Sequence, residues 1–164
     1  MKKIIFIIAV LCVSFVNAQA YSGKGDKKLQ LGANFQDSAT GINLTYDHGF
    51  GENISLGIAT TYLLNVKNLG DIGADFGDRV DLKLRFNANL GNVINIDENL
   101  DIYPGLSLGL HNFGGHLGAR YFFSTGFGVF TEFGIPFAKY DDANTAANQL
   151  NNQFTLNIGA VFNL

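Results

Sequence analysis

From about residue 28 onward, apolar residues alternate with other residues in short segments, and this alternation most constrains the fold. A period of two is typical of β-strands, whose successive side chains point to opposite faces, and these segments lack the periodicity of an amphipathic helix. Residues that favour turns separate the segments. We predict eight strands, at residues 28–36, 41–48, 53–65, 79–90, 100–111, 116–123, 127–138 and 153–163.

The two registers of these strands differ in composition. One register is apolar and carries no Asp, Glu, Lys or Arg in any predicted strand. The other combines glycine and small polar residues, such as Gly57 and Asn87, with charged residues of both signs. Its charged members are Asp47, Arg79, Asp81, Lys83, Arg85, Asp101, Arg120 and Glu132.

The polar register is predicted to face the interior of a closed barrel. Glycine weakens a strand on a solvated face, but it suits the concave side of a small barrel, whose interior is just wide enough for side chains. The charges of this register, four basic and four acidic, can neutralise one another there. The apolar register then faces lipid, which predicts an all-β fold, an eight-stranded antiparallel up-and-down transmembrane β-barrel.

The N-terminus has the features of a secretory signal peptide. Lys2 and Lys3 precede an apolar run from Ile4 to Val16, which is shorter than the about 20 residues of a membrane-spanning helix. Small residues follow and end in Ala18-Gln19-Ala20. We predict that residues 1–20 are a cleavable signal peptide and residues 21–164 an outer-membrane β-barrel domain, with cleavage after Ala18 or Ala20.

Strand order places both termini on the periplasmic side. Short inner turns and longer outer loops are typical of such barrels, although the inner turn Gly91–Asn99 is long. The outer loops are Asp37–Thr40, Val66–Asp78, Asn112–Gly115 and Lys139–Asn152. Aromatic residues fall near both rims, as in the girdles of transmembrane barrels. Near the inner rim they are Tyr46, Tyr121, Phe123, Phe127 and Phe162, and near the outer rim Phe35, Tyr62, Phe137 and Phe154.

Two groups of inward residues are candidate sites. The first is a predicted mid-barrel ion-pair network, whose members are Asp81, Lys83, Arg85, Arg120 and Glu132. We predict that this network plugs the lumen, and the alternative is that it acts as a gate for small ions. His111 and His116 are predicted to flank a short outer loop as a weak pair at the rim.

No metal, cofactor or enzymatic activity is expected. Two imidazoles are fewer ligands than a zinc site needs. The sequence offers no clustered serine, histidine and carboxylate for catalysis. Cys12, the one cysteine, lies inside the apolar run, so disulfides and thiolate metal sites are not expected in the barrel.

Over nearly the whole mature chain this architecture resembles the small eight-stranded outer-membrane barrels, the class of the OmpA transmembrane domain, OmpX and PagP. The last segment, Phe154 to Leu164, resembles the C-terminal signal that the barrel-assembly machinery reads, with Phe162 as its aromatic residue.

Five shorter segments carry a closer similarity: Gly23–Asp26, Phe76–Arg79, Tyr103–Gly105, His116–Phe122 and Leu150–Thr155. In these the chain is similar to an uncharacterised outer-membrane-beta-barrel-like family of Gram-negative bacteria. That resemblance implies a location and a fold, and no activity.

The expected function is non-enzymatic: a structural or surface-interaction role in the cell outer membrane. The alternatives are a narrow channel for ions or small apolar solutes, and a soluble periplasmic ligand-binding β-barrel. Expected partners are outer-membrane lipid, lipopolysaccharide and the barrel-assembly machinery, and the chain is expected to be a monomer. A net charge of −3 gives no electrostatic support for a nucleic-acid partner. Residues 21–27 are either a flexible lead-in or a plug at the inner mouth.

Overall fold

The computed structural model describes residues 19–67 and 73–164. Residues 1–18, which hold most of the predicted signal peptide, lie outside the described residues, as do residues 68–72. Eight strands form, as predicted. They are β1 (Lys27–Gln36), β2 (Ala39–Gly49), β3 (Ile54–Val66), β4 (Val80–Ala88), β5 (Leu100–Gly109), β6 (Asn112–Phe122), β7 (Phe127–Lys139) and β8 (Thr155–Asn163).

Each strand pairs with its neighbours in sequence, and the first pairs with the last, so that the sheet closes into a barrel. All pairs are antiparallel, and in the closing pair Lys28 lies opposite Asn163 and Gln36 opposite Thr155. Because the sheet closes, every described strand has a paired neighbour on both sides. The predicted eight-stranded antiparallel barrel is therefore confirmed. No helix in the described part of the chain is long and apolar enough to cross a membrane.

The two registers face as predicted. The apolar register points away from the barrel axis, and its aliphatic side chains are about half exposed, for example Leu84 at 59 % and Leu117 at 51 %. The polar register points inward, and Asn87, Asp101 and Arg120 are almost completely buried. This arrangement is the reverse of a soluble barrel, which buries its apolar register.

The two ends of the barrel differ. At the terminal end lie residues 19–26, the C-terminus and the turns 50–53, 89–99 and 123–126. At the loop end lie the connections 37–38, 110–111 and 140–154, together with residues 73–79. Two short helices that the alternation does not predict lie in these connections. They are α1 (Gly91–Ile94) at the terminal end and α2 (Ala146–Asn151) at the loop end. Both are too short to produce a helical period in the sequence.

The start of β6 differs from the prediction. Asn112–Gly115 was expected to be a loop, but β6 begins at Asn112, and the turn before it is limited to residues 110–111. Two successive glycines, Gly114 and Gly115, favour a turn, yet they pair with Ser107 and Leu106 within the sheet. A side chain at Gly115 would collide with the Phe137 ring, so this glycine serves close packing rather than a turn.

Candidate functional site in the barrel lumen

Five charged side chains form a continuous chain across the lumen, which we call the charge chain. In spatial order it runs Glu132, Arg85, Asp47, Arg120 and Asp101. All five are at most 6 % exposed. They come from β7, β4, β2, β6 and β5, because each occupies the inward register of its strand. The barrel therefore unites residues that are far apart in sequence.

The strongest contacts lie at the two ends of the charge chain. Glu132 accepts two hydrogen bonds from Arg85, at 2.6 Å from Nη2 and 3.2 Å from Nη1. Asp101 Oδ2 accepts from Arg120 Nη2 at 2.8 Å and from Nε at 3.1 Å. Such paired guanidinium–carboxylate contacts are the strong form of a charge-assisted hydrogen bond.

Asp47 joins the two ends. Its Oδ1 lies 3.1 Å from Arg85 Nε and its Oδ2 lies 3.7 Å from Arg120 Nη1. Neither oxygen has a well-directed hydrogen bond among the described residues, so Asp47 is held by charge attraction to both guanidinium groups. Three carboxylates then face two guanidinium groups, and the charge chain carries one net negative charge.

Glycines in the inward register let these side chains meet across an intervening strand. Gly57 on β3 lies opposite Asp47 on one side and Arg85 on the other. A Cβ atom at Gly57 would collide with the Asp47 carboxylate. Likewise Gly118 lies between Tyr103 and Glu132, and a Cβ atom there would overlap the Tyr103 ring. The lumen glycines therefore provide the space that the charge chain and its neighbours occupy.

Tyr103, which sequence analysis did not select, packs against both arginines. Its ring centre lies 4.7 Å from Arg120 Cζ and 5.8 Å from Arg85 Cζ, and the residue is fully buried. Its hydroxyl oxygen accepts a hydrogen bond from Gln30 Nε2 at 3.0 Å. A tyrosine face beside a guanidinium group is attractive, so Tyr103 stabilises both arginines in the lumen.

The predicted network is thus only partly one cluster. Arg85, Arg120 and Glu132 belong to the charge chain, whereas Asp81 and Lys83 form a separate pair at 3.2 Å nearer the loop end. Asp47 and Asp101 were recognised as inward charges but not as members of the network. Arg79 lies in a short 3₁₀ turn, Gly77–Arg79, outside the lumen cluster.

The predicted histidine pair does not form. His111 lies in the turn before β6, whereas His116 lies inside the lumen, opposite Gly105. His116 Nε2 is 2.7 Å from Asn87 Oδ1 and 3.3 Å from Arg85 Nη2. The misplaced start of β6 caused this error. Within the described residues, no group of three or more His, Cys, Asp or Glu side chains could hold a metal ion.

A polar cavity of about 50 Å³ lies in the loop half of the lumen. Its lining includes Asp81, Lys83, Arg85 and Glu132, whose formal charges sum to zero. Since one buried water needs roughly 10–15 Å³ of such volume, this cavity has room for only a few waters.

Residues 19–26 close the terminal end, which resolves the two alternatives for residues 21–27 in favour of a plug. Tyr21 is 1 % exposed, and its hydroxyl donates to the Ile54 carbonyl oxygen at 2.7 Å. Ala20 packs with buried aromatic residues of β6 and β7, Phe122 and Phe130. Burial, with a smaller contribution from Asp26, raises the pKa of Tyr21 to about 12.

Two glycines shape this plug. Gly23 and Gly25 have φ values of 91° and 89°, a conformation that favours glycine over residues with a side chain. The turn they form brings Asp26 back toward the lumen, where Ser22 donates to its carboxylate at 2.7 Å from the backbone and 2.8 Å from the hydroxyl. Lys28 forms an ion pair with the other carboxylate oxygen.

Helix α2 closes the loop end. Leu150 is fully buried and packs with Ala39 and Leu63. Asn112 donates from its amide to the Asn151 carbonyl oxygen at 2.8 Å, which fastens the helix to β6. The lumen is therefore covered by a plug at one end and a lid at the other.

A model of the family of unknown function DUF6646 matches residues 11–164. Among solved structures, a de novo designed transmembrane β-barrel is similar, with a TM-score of 0.57 and 11 % sequence identity over 87 % of this chain and 98 % of that chain. At so low an identity this likeness concerns the fold alone. No curated protein matches.

Proposed function

Since the chain belongs to the family of unknown function DUF6646, which supplies no activity to transfer, we propose its function from its geometry. It is a non-enzymatic integral barrel of the outer membrane with a structural or surface-interaction role. In this proposal the N-terminus is a signal peptide that is cleaved after Ala18 or Ala20, and cleavage after Ala18 leaves the whole plug in the mature chain. The barrel-assembly machinery inserts the chain, and it functions as a monomer in contact with outer-membrane lipid and lipopolysaccharide.

The observation that carries this proposal is the outward apolar register. Aliphatic and aromatic side chains surround the barrel on all strands, with Leu31, Leu84 and Ile158 each between 48 and 59 % exposed. An apolar surface of this extent is far larger than the patches that soluble monomers expose. Among lipid tails, exposing this apolar surface has no free-energy cost.

Aromatic side chains add support at the terminal end. Tyr121, Phe123, Phe127 and Phe162 form a run of neighbouring rings whose centres are 5.5–6.4 Å apart. A cluster of rings at one rim is typical of the level at which a membrane barrel meets the lipid headgroups.

The closed lumen favours a structural role over a channel. The charge chain crosses the barrel, and the plug and lid cover its ends. A pore would need all three to rearrange. We therefore place the narrow channel second, and planar-bilayer recordings of the native protein test it: steady conductance would replace the structural proposal.

The first test is to express the full chain in a Gram-negative host and isolate the outer-membrane fraction. We expect the protein to resist carbonate extraction and to change electrophoretic mobility on boiling, as a closed barrel does. Release by carbonate, with no change in mobility, would refute the proposal and favour a soluble barrel.

A matched pair of variants sharpens this test. Leu84→Arg places a charge in the middle of β4 on the outward face, which in a bilayer costs about 2–4 kcal/mol. Phe76→Arg places the same charge in the connection 67–79, where Phe76 is 72 % exposed. We expect Leu84→Arg to reduce the fraction of protein inserted in the membrane, and Phe76→Arg to leave it unchanged. A soluble barrel would tolerate both substitutions equally.

A further inference from the structure

The turn between β4 and β5 carries an apolar surface that the barrel itself does not require. Its aliphatic side chains are Val93, Ile94 and Ile96, which are 61, 47 and 70 % exposed. We call the part of the turn that carries these three side chains the aliphatic turn. The turn is also longer than a β-hairpin needs, and the extra residues form α1.

The aliphatic turn is fixed in place by polar contacts toward the plug. Asn92 donates to the Tyr21 carbonyl oxygen at 2.9 Å, and the Gly91 backbone donates to the Asp101 carboxylate at 2.9 Å. Asn95 has a left-handed backbone conformation, with φ 51°, which ends α1. Polar groups thus hold the segment to the barrel, while its aliphatic side chains remain uncovered by the described chain.

This apolar surface continues the outward belt of the barrel. Ile94 and Ile96 line a shallow groove together with Leu100 and Ile102, which belong to the terminal end of β5. The β4–β5 ladder stops at Gly105, since the next residue of β5, Pro104, has no N–H to donate. The aliphatic turn therefore lies beside the part of β5 that β4 does not pair with.

We propose that the aliphatic turn is an interfacial anchor, inserted among the acyl chains of the lipid leaflet at the terminal end of the barrel. This inference rests on the proposed membrane location and adds a second lipid contact outside the strands. The occupant is lipid because the patch is aliphatic and is continuous with the belt. Apolar side chains of interfacial helices sit about 5–10 Å into the boundary between headgroups and acyl chains.

Fluorescence quenching in bilayers tests this directly, because the chain contains no tryptophan. Single-tryptophan variants of the full chain, purified from host membranes, are reconstituted into phosphatidylcholine vesicles with brominated acyl chains. Ile96→Trp reports on the aliphatic turn, Leu84→Trp on the middle of the belt, and Lys24→Trp on the exposed tip of the plug at the same end.

We expect Ile96→Trp to lose fluorescence mainly when bromine lies near the ester end of the chains. Leu84→Trp should lose it mainly when bromine lies near the methyl end. Lys24→Trp should be quenched by aqueous iodide and by neither lipid.

Three results would overturn the inference, and they are distinguishable. Quenching of Leu84→Trp by lipid, with Ile96→Trp open to iodide, would reject the anchor and leave the membrane barrel. Loss of lipid quenching at both positions would reject the membrane barrel itself. Protection of Ile96→Trp from both lipid bromine and iodide would mean that protein covers the turn, such as a second copy of the chain.

A second probe excludes an effect of tryptophan, which itself prefers membrane interfaces. Cys12 is the one native cysteine and lies in the predicted signal peptide, so Val93→Cys gives a single nitroxide site in the processed protein. We expect its spectrum to respond more strongly to dissolved oxygen than to a water-soluble nickel chelate. A stronger response to nickel would contradict the anchor.

Discussion

Replacing Arg85 by methionine is expected to destabilise the barrel by about 3–5 kcal/mol, the usual cost of removing one partner of a buried ion pair. Arg85 is 4 % exposed and provides both hydrogen bonds to Glu132. Without it no other cation of the described residues contacts Glu132, and Asp47 keeps Arg120, at 3.7 Å. Two carboxylates would then be buried with too little positive charge.

The partner substitution should cost less. In Glu132→Gln, Arg85 keeps its contact with Asp47 at 3.1 Å, and the glutamine oxygen can still accept a hydrogen bond. A loss of about 1–3 kcal/mol is expected. The double variant Arg85→Met with Glu132→Leu should be more stable than Arg85→Met alone, because it removes one of the stranded carboxylates.

Denaturant unfolding in detergent micelles, followed by far-ultraviolet circular dichroism, measures these differences. Lys24→Met is the matched control, since it removes a positive charge from an exposed position and should change stability by less than about 0.5 kcal/mol. A double variant no more stable than Arg85→Met alone, or an Arg85→Met variant as stable as the control, would refute the role assigned to the charge chain.

Three further outcomes follow from the plug, the glycines and the lid. Tyr21→Phe should lose about 1 kcal/mol of unfolding free energy at neutral pH. In the native chain, stability should fall as pH rises from about 10 toward 12, because the phenol ionises near 10 when unfolded, whereas burial raises the pKa of Tyr21 to about 12. A Tyr21→Phe chain with the same loss of stability at alkaline pH would contradict this. Gly57→Ala should cost about 1–3 kcal/mol by displacing Asp47, whereas Gly126→Ala, with open space around it, should be nearly neutral; equal losses on denaturant unfolding would exclude the close-packing argument. Leu150→Ala should speed amide hydrogen exchange in residues 146–151 without exposing β6, and uniform exchange across the chain would show that the lid is not a separate unit.

Alternation in the sequence was sufficient to predict the eight strands, because a closed barrel repeats the same two-sided pattern eight times. The sequence also indicated which register faces the lumen, since glycine and balanced charge share one register. The fold was therefore largely predictable from the sequence.

Contacts across the lumen were less predictable, because they depend on the offset between neighbouring strands. Asp47 and Arg85 meet only because Gly57 stands opposite both of them, and parity alone does not give that register. Tyr103 could have been selected, since it shares its register with Asp101 and Gly105. The plug and α2 have no long periodic pattern, so the sequence offered little to identify them.

The pairing of β1 with β8 has a consequence for the order of assembly. Adjacent hairpins such as β2–β3 and β6–β7 close short loops, whereas the seam joins Lys28 to Asn163, near the two ends of the described chain. Loop closure over such a separation is entropically the most demanding contact and folds slowly. We therefore expect the seam to complete last, and until it does the first and last strands both present open edges.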